Sequence, residues 1–178
     1  QVEVHRGQVL PPFERPERVN AITQALRAQK GAIFRPCAVI DAAVLERVHA
    51  PEYLEFLKTA HSEWQSLGVD GHIVPHVWPS GSMSPEIPQN LFGRLGYFSF
   101  DAGTTISAGT WDTALASAGC SLSAAAAAWA ERTTTFALCR PPGHHAERSR
   151  FGGYCFLNTA ALAVEHFRHL GAERVAVL

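Results

Sequence analysis

Residues 133–178 have the sequence TTTFALCRPPGHHAERSRFGGYCFLNTAALAVEHFRHLGAERVAVL. The first seven, 133–139, are β-branched and apolar, which predicts a buried strand. A helix is predicted over about 157–170, closed by Gly171, and 174–178 begins a second apolar strand. A strand, a loop, a helix and a second strand form a βαβ unit, which predicts a parallel sheet flanked by helices in an α/β fold.

Helices are also predicted in the residues before this unit. A helix over about 15–30 has Pro16 in its first turn, where a proline is well tolerated. Asp41 is expected to cap a short helix, and Pro51 is expected to begin the next one. A long Ala-rich helix is predicted from Thr110, its expected cap, to about residue 132. These helices supply the layers that flank a parallel sheet.

Residues 68–109 differ from the rest of the chain. They are rich in proline and glycine and show little helical or strand periodicity. Long irregular segments of compact domains are usually functional or disordered, but the aromatic residues in this one argue against disorder. We therefore predict a single domain over residues 1–178 with an ordered insertion at about 68–109. The insertion is expected to cover a site or to contact a partner subunit, and a homodimer formed through it is the expected assembly.

Composition and charge exclude several classes of protein. The 178 residues carry a formal net charge of −1, so electrostatic capture of nucleic acid or of an anionic membrane is not expected. The longest apolar run, residues 124–130, is shorter than the about 20 residues of a membrane span. The four cysteines form no C-x-x-C pair. We therefore expect no disulfide framework and a reducing, cytoplasmic location.

Two adjacent histidines, His144 and His145, lie in the loop after the first predicted strand. Ligands of parallel sheets bind at the carboxyl ends of the strands, so this loop is a candidate site. Histidine titrates near neutral pH and can accept or donate a proton, which favours acid–base chemistry at the pair. Two other interpretations stay open. The histidines are solvated surface residues, or they are metal ligands, although no third ligand lies at a familiar spacing.

The histidines belong to a longer pattern, RPPGHHA at 140–146 followed by FGGYCFLN at 151–158. This pattern resembles the signature of the histone deacetylase superfamily, also called arginase/deacetylase-like. ISAGTW at 106–111 also resembles the family, and PPF at 11–13, SPEIP at 84–88 and GYF at 96–98 are most similar to the bacterial acetylpolyamine amidohydrolase branch. The resemblance covers nearly the whole chain, as the N-terminal portion of such a protein.

The resemblance implies a doubly wound α/β fold with a mainly parallel sheet flanked by helices, incomplete in this chain. It also implies a zinc-dependent deacetylase, in which metal-activated water hydrolyses the acetyl amide of a small acetylated amine of the acetylpolyamine or acetyl-lysine type. By the same resemblance, His145 is the general base and later the acid, and His144 is its electrostatic partner. Gly153 lines the substrate channel with its backbone, and Tyr154 forms an aromatic wall beside the substrate.

The sequence departs from the family pattern in two ways. The zinc ligands of the family, an Asp-x-His after the strand that begins at residue 174 and a later Asp, are expected beyond Leu178, so no metal ligand is predicted within this chain. Phe92 and Gly103 stand where polyamine-type members often have acidic residues. The alternative interpretation is a catalytically inactive fragment, or a binding or assembly module of the same fold that lacks the metal site.

Overall fold

Five α-helices and one short hairpin form the regular structure in this computed structural model, which describes residues 2–83 and 86–178. Gln1 and two residues of the SPEIP segment, Ser84 and Pro85, lie outside the described residues. In chain order the elements are β1 (Glu3–His5), β2 (Gln8–Leu10), α1 (Pro16–Arg27), a 3-10 helix (Ala42–Arg47), α2 (Pro51–Ser66), α3 (Leu91–Tyr97), α4 (Thr110–Glu131) and α5 (Thr159–His169). The predicted helices are confirmed, and α3 is an additional helix within the predicted insertion.

Polar side chains and prolines set the starts of these helices. The Asp41 carboxylate accepts a hydrogen bond from the backbone N–H two residues further on (3.0 Å), as the sequence predicts. Pro16 and Pro51 occupy first turns. Thr110 is the first residue of α4 instead of its cap. Its hydroxyl accepts a hydrogen bond from the N–H of Ser107 (2.8 Å), which ties α4 to the turn before it.

The apolar core lies between α2, the end of the predicted insertion and residues 151–157. The ring centroids of Phe56 and Phe98 are 4.9 Å apart, and Phe56 stacks on Phe151 at 6.3 Å. The backbone carbonyl of Phe98 accepts a hydrogen bond from the N–H of Phe151 (2.8 Å). Burying an aromatic side chain of this size stabilises a fold by about 1.5–3 kcal/mol. The core therefore fixes residues 151–157, which follow the two histidines in the chain.

Residues of the predicted insertion belong to this core. Ile73 and Ile106 exchange two backbone hydrogen bonds of 2.9 and 3.0 Å, and both side chains are buried. Leu91 and Leu95 on α3 are buried as well. The segment is therefore ordered by contacts with the rest of the domain, which agrees with its aromatic composition.

The longest helix, α4, packs against α5. The hydroxyl of Ser121 donates a hydrogen bond to the carbonyl of Thr159 (2.6 Å), and the small residues Ala118 and Ala125 are buried. By length and composition alone, the 22 residues of α4 could cross a membrane. A core helix passes the same test, and 39% of the apolar window of α4 is buried inside the protein. The test alone is therefore weak support for a membrane span.

The two predicted strands, 133–139 and 174–178, join no strand ladder among the described residues. The first runs along α4, where the hydroxyl of Thr135 donates a hydrogen bond to the carbonyl of Ala124 (2.9 Å). Phe136 and Val177 are each 68% exposed, whereas Leu138 and Val175 are partly buried. The prediction that these segments are buried strands is wrong in this structure, because neither joins a strand ladder among the described residues and some of their large apolar side chains are exposed.

One cysteine pair contradicts the prediction of no disulfide framework. Cys37 and Cys120 form a disulfide bond, with their Cα atoms 4.7 Å apart. The bond ties the segment before the 3-10 helix to α4, and an ion pair between Arg35 and Glu131 does the same further along. The two cysteines are 83 residues apart in the sequence, so no local spacing motif could reveal the bond.

Replacing Gly96 with alanine is expected to destabilise the fold, although alanine is the better helix former. A Cβ atom at Gly96, on α3, would overlap the backbone carbonyl of Val77, which cannot move aside like the end of a flexible side chain. Overpacking of this kind costs about 1–3 kcal/mol. Gly81→Ala is the matched control, because a Cβ atom there meets open space. Chemical denaturation measures both variants, and equal free energies of unfolding would contradict the close packing of α3.

Candidate active site

The loop that carries the histidines, residues 140–158, begins beside α4. The Nε atom of Arg140 lies 2.8 Å from a carboxylate oxygen of Glu14. The hydroxyl of Ser117, on α4, donates a hydrogen bond to the carbonyl of Pro141 (2.7 Å). These two contacts fix the entry to the loop.

Buried side chains at the start of α2 hold the far end of the loop. His49 Nε2 accepts a hydrogen bond from the backbone N–H of Asn158 (2.9 Å), and its Nδ1 lies 3.3 Å from the carbonyl oxygen of Arg148. The hydroxyl of Tyr53 donates to the carbonyl of Phe156 (2.6 Å). Burial lowers the pKa of His49, so at neutral pH the ring is uncharged and carries its proton on Nδ1.

His144 and His145 lie side by side at exposed positions of the loop. Their ring centroids are 4.2 Å apart, and their planes are inclined by 53°. A turn, in which the N–H of Ala146 donates to the carbonyl of Gly143 (3.1 Å), presents both rings. The structure therefore brings the predicted pair together where a ligand can reach it, and the role of each ring stays a prediction.

Gly153 and Tyr154, the predicted substrate-binding residues, form a turn against His145. Their φ angles are +55° and +64°, in a region that glycine adopts readily and tyrosine only rarely. A Cβ atom at Gly153 would lie 2.5 Å from Cδ2 of His145. The backbone therefore approaches the imidazole this closely only because Gly153 has no side chain. The Gly153–Tyr154 turn thus adjoins His145 through the backbone of Gly153.

Asp101 and Thr104, which the sequence pattern does not assign to the site, hold this turn in place. The carboxylate of Asp101 accepts hydrogen bonds from the N–H of Gly153 (2.5 Å) and from the N–H of Thr104 (2.8 Å). The hydroxyl of Thr104 accepts one from the N–H of Tyr154 (2.8 Å). These bonds stabilise an unfavourable backbone conformation. Asp101 is 52 residues from Gly153, so sequence spacing could not reveal the contact.

The hydroxyl of Tyr154 donates a hydrogen bond to Glu3 on β1 (2.5 Å). Burial raises the pKa of Tyr154, and the hydrogen bond to Glu3 and the negative charges of Glu3, Asp101 and Glu14 raise it further. Tyr154 is therefore a neutral phenol at physiological pH. Its backbone is held by one part of the fold and its hydroxyl by another, so the ring has a fixed orientation.

Two cysteines at or beside the loop limit the chemistry of the site, and so does the grouping of possible metal ligands. Burial raises the pKa of the Cys139 and Cys155 thiols, so both are poor nucleophiles at neutral pH. Within residues 2–83 and 86–178, no three His, Cys, Asp or Glu side chains are grouped to hold a metal ion. Within the described residues, the predicted histidine pair and the Gly153–Tyr154 turn therefore lie together without a grouped set of metal ligands.

Known proteins resemble this chain over its whole length. A profile of the histone deacetylase domain matches residues 12–178. The chain is 39% identical over 176 residues to acetylpolyamine amidohydrolase 2 of Pseudomonas aeruginosa, and the aligned region covers 99% of this chain and 51% of that protein. It is 38% identical over 179 residues to the acetylpolyamine amidohydrolase of Mycoplana ramosa, and the aligned region covers 100% of this chain and 52% of that protein. The chain thus spans about half the length of these relatives.

A solved structure shows the same architecture. The crystal structure of an acetylpolyamine aminohydrolase from Burkholderia pseudomallei matches with a TM-score of 0.86 and 31% sequence identity, over 95% of this chain and 49% of that one. This likeness confirms the arginase/deacetylase-like α/β fold class predicted from the sequence. The match to about half of each relative also confirms the resemblance to the N-terminal portion of the family.

Protonation of His49 is expected to make stability depend on pH. Burial lowers the pKa of His49 in the folded state, so the unfolded state binds the proton more readily. The free energy of unfolding should therefore fall as the pH drops below about 6.5, and level off below the folded-state pKa. His49→Gln should reduce this slope without abolishing it, since burial also lowers the pKa of His72 and His166.

Denaturation curves recorded from about pH 8 to about pH 5 measure this slope. Tyr53→Phe is the matched control, because it removes a neighbouring buried hydrogen bond but no imidazole. It should lower stability at every pH and keep the slope. A His49→Gln protein with the full wild-type slope would show that His49 is not held neutral by the fold.

Proposed function

Because this chain belongs to the histone deacetylase domain family, we propose that the full-length protein is a zinc-dependent deacetylase. It hydrolyses the acetyl amide of a small acetylated amine, of the acetylpolyamine or acetyl-lysine type. The observation that carries the proposal is the pair of adjacent imidazoles, His144 and His145, with the Gly153–Tyr154 turn packed against His145. Relatives named acetylpolyamine amidohydrolases support an acetylated polyamine as the first substrate to test.

The histidine pair supplies the proton transfers of this reaction. His145 accepts a proton from the water that attacks the acetyl carbonyl, and later donates a proton to the leaving amine nitrogen. His144, with its ring 4.2 Å away, is the electrostatic partner.

The Gly153–Tyr154 turn positions the substrate beside these rings. Gly153 packs its backbone against the imidazole of His145, so the turn lies directly beside the histidine that transfers the proton. The fixed ring of Tyr154 forms one wall, where it packs on the methylene groups of the substrate. An extended acetylated amine therefore presents its amide to the histidine pair.

Zinc is proposed as the cofactor of the full-length protein. A bound zinc ion lowers the pKa of water and polarises a carbonyl group. The described residues do not group three possible ligands, so they would not hold the ion by themselves. The alternative proposal is an inactive fragment, or a binding or assembly module of the same fold.

Assembly and location are further proposals. We propose a homodimer formed through residues 68–109, because Val77 and Met83 in this segment are 63% and 59% exposed. The net charge of −1 supports the absence of nucleic-acid and membrane partners.

A cytoplasmic location remains proposed from the sequence. The Cys37–Cys120 bond weighs against it, since disulfides persist mainly in oxidising compartments. Thiol labelling in intact cells distinguishes a cytoplasmic protein from one in an oxidising compartment.

The proposed activity is tested on the full-length protein. Native mass spectrometry counts bound zinc, and an amine-release assay compares an acetylated diamine with an acetyl-lysine peptide. One zinc ion per chain together with amine release supports the deacetylase. A protein that binds no divalent ion and releases no amine contradicts it and favours the binding module.

His145→Ala in the full-length protein is expected to reduce turnover by about 10²-fold or more, the usual contribution of general acid–base catalysis. Steady-state kinetics on the better of the two substrates measures the effect. His169→Ala, at the exposed end of α5, is the matched control. Turnover near that of the control would remove His145 from the role of general base.

The dimer is tested at the exposed apolar residues of the predicted insertion. Val77→Asp combined with Met83→Asp should shift the full-length protein from dimer to monomer, because two charges would be buried without partners. Val9→Asp, on exposed β2, is the control. Analytical ultracentrifugation measures both proteins, and a dimer of the double variant as stable as that of the control would contradict this interface.

A further inference from the structure

Glu3 is a buried carboxylate that the proposed reaction does not use. Only 6% of its surface is exposed. A glutamate this buried normally has a partner. Its Oε2 atom accepts hydrogen bonds from the hydroxyl of Tyr154 (2.5 Å) and from the backbone N–H of Phe13 (3.3 Å). The carboxylate therefore joins the N-terminal hairpin, β1–β2, to the wall of the candidate site.

The hydrogen bond from Tyr154 restricts a rotation of its side chain that the other contacts do not restrict. Asp101 and Thr104 hold the backbone of the Gly153–Tyr154 turn, but the side chain of Tyr154 can still rotate about its own torsions. An O–H···O⁻ bond of about 2.5–2.7 Å is charge-assisted and among the stronger hydrogen bonds in proteins. A bond of this kind at the far end of the ring stops the rotation.

We propose that Glu3 is a positioning residue, which fixes the ring of Tyr154 at the wall of the site and thereby sets the affinity for substrate. The inference rests on the proposed function, since it requires Tyr154 to contact the substrate. Glu3 acts only through Tyr154 and does not touch the reacting atoms. The N-terminal hairpin thus becomes part of the substrate-binding machinery.

The hairpin is itself held in place, so Glu3 cannot simply follow a moving ring. β1 and β2 pair in antiparallel register. The hydroxyl of Thr105 donates a hydrogen bond to the carbonyl of Val2 (3.1 Å), beside Glu3. Burial and the surrounding carboxylates also keep the phenol protonated, so it remains a donor to Glu3 as the pH rises through neutrality. The contact therefore persists under conditions in which the enzyme would work.

Loss of this contact should change binding and leave the chemical step intact. Glu3→Ala frees the Tyr154 ring, while His144 and His145 keep their surroundings. We expect KM for the acetylated amine to rise about tenfold, the order expected for a lost hydrogen bond to a charged group. We expect kcat to stay within about twofold of wild type, because the lost contact contributes equally to binding of the ground state and of the transition state.

The experiment uses the full-length protein and the variants Glu3→Ala, Glu3→Gln, Tyr154→Phe and the double variant Glu3→Ala with Tyr154→Phe. Glu55→Gln, an exposed carboxylate on α2, is the control. Steady-state kinetics gives kcat and KM. Independently of activity, 19F NMR of 3-fluorotyrosine-labelled protein follows ionisation of Tyr154, whose resonance is identified by its loss in Tyr154→Phe.

Three results together support the proposal. KM rises in Glu3→Ala and Tyr154→Phe with kcat unchanged, the double variant is no worse than either single variant, and the pKa of Tyr154 falls in Glu3→Gln. An active wild type with unchanged KM in Glu3→Ala, or a fall in kcat alone, overturns the inference and leaves the proposed function standing. A wild-type protein without deacetylase activity overturns both, and the 19F titration then still reports whether the contact exists.

Discussion

The position of the histidine loop depends on three of the hydrogen bonds that Asn158 makes. Its side-chain oxygen accepts from the N–H of Ala161 at the start of α5 (2.9 Å), its side-chain nitrogen donates to the carbonyl of Ala146 (2.8 Å), and its backbone N–H donates to His49 (2.9 Å). One residue therefore fixes a helix start, the residue after the histidine pair and a buried imidazole. Because the loop is irregular, its geometry depends on such side-chain bonds more than on backbone ladders.

Negative charge surrounds the Tyr154 ring. The carboxylates of Glu3, Asp101 and Glu14 all raise the pKa of its phenol, and the guanidinium of Arg140 is paired with Glu14. At distances of a few ångströms and low local dielectric, such a field favours a cationic ligand over an anionic one. Glu3 and Asp101 thus place two carboxylates close to the Tyr154 residue. This charge distribution supports the proposed substrate, an acetylated amine that carries a further positive charge.

The parts of this structure that the sequence predicts are those coded by neighbouring residues. The helices follow from periodicity and from caps such as Asp41, and the histidine pair and the Gly153–Tyr154 turn follow from one contiguous pattern. Contacts between distant segments were not predictable, because no local spacing records them: the Glu3–Tyr154 bond joins residues 151 positions apart. The strand prediction at 133–139 failed for a related reason, since apolar residues indicate burial but not which layer covers them.

One face of α4 determines how the ends of the histidine loop are spaced. Ser117 holds the carbonyl of Pro141 at the entry, and Ser121 holds the carbonyl of Thr159 just past the exit. Residues four apart lie on the same face of a helix, about 6 Å apart along its axis. The two ends of the loop are therefore clamped about one helical turn apart, and the histidines are presented from a closed loop with a rigid base. Both clamping bonds come from serine hydroxyls on a helix whose other buried residues are mostly small, so the loop can approach the α4 backbone closely enough to be held.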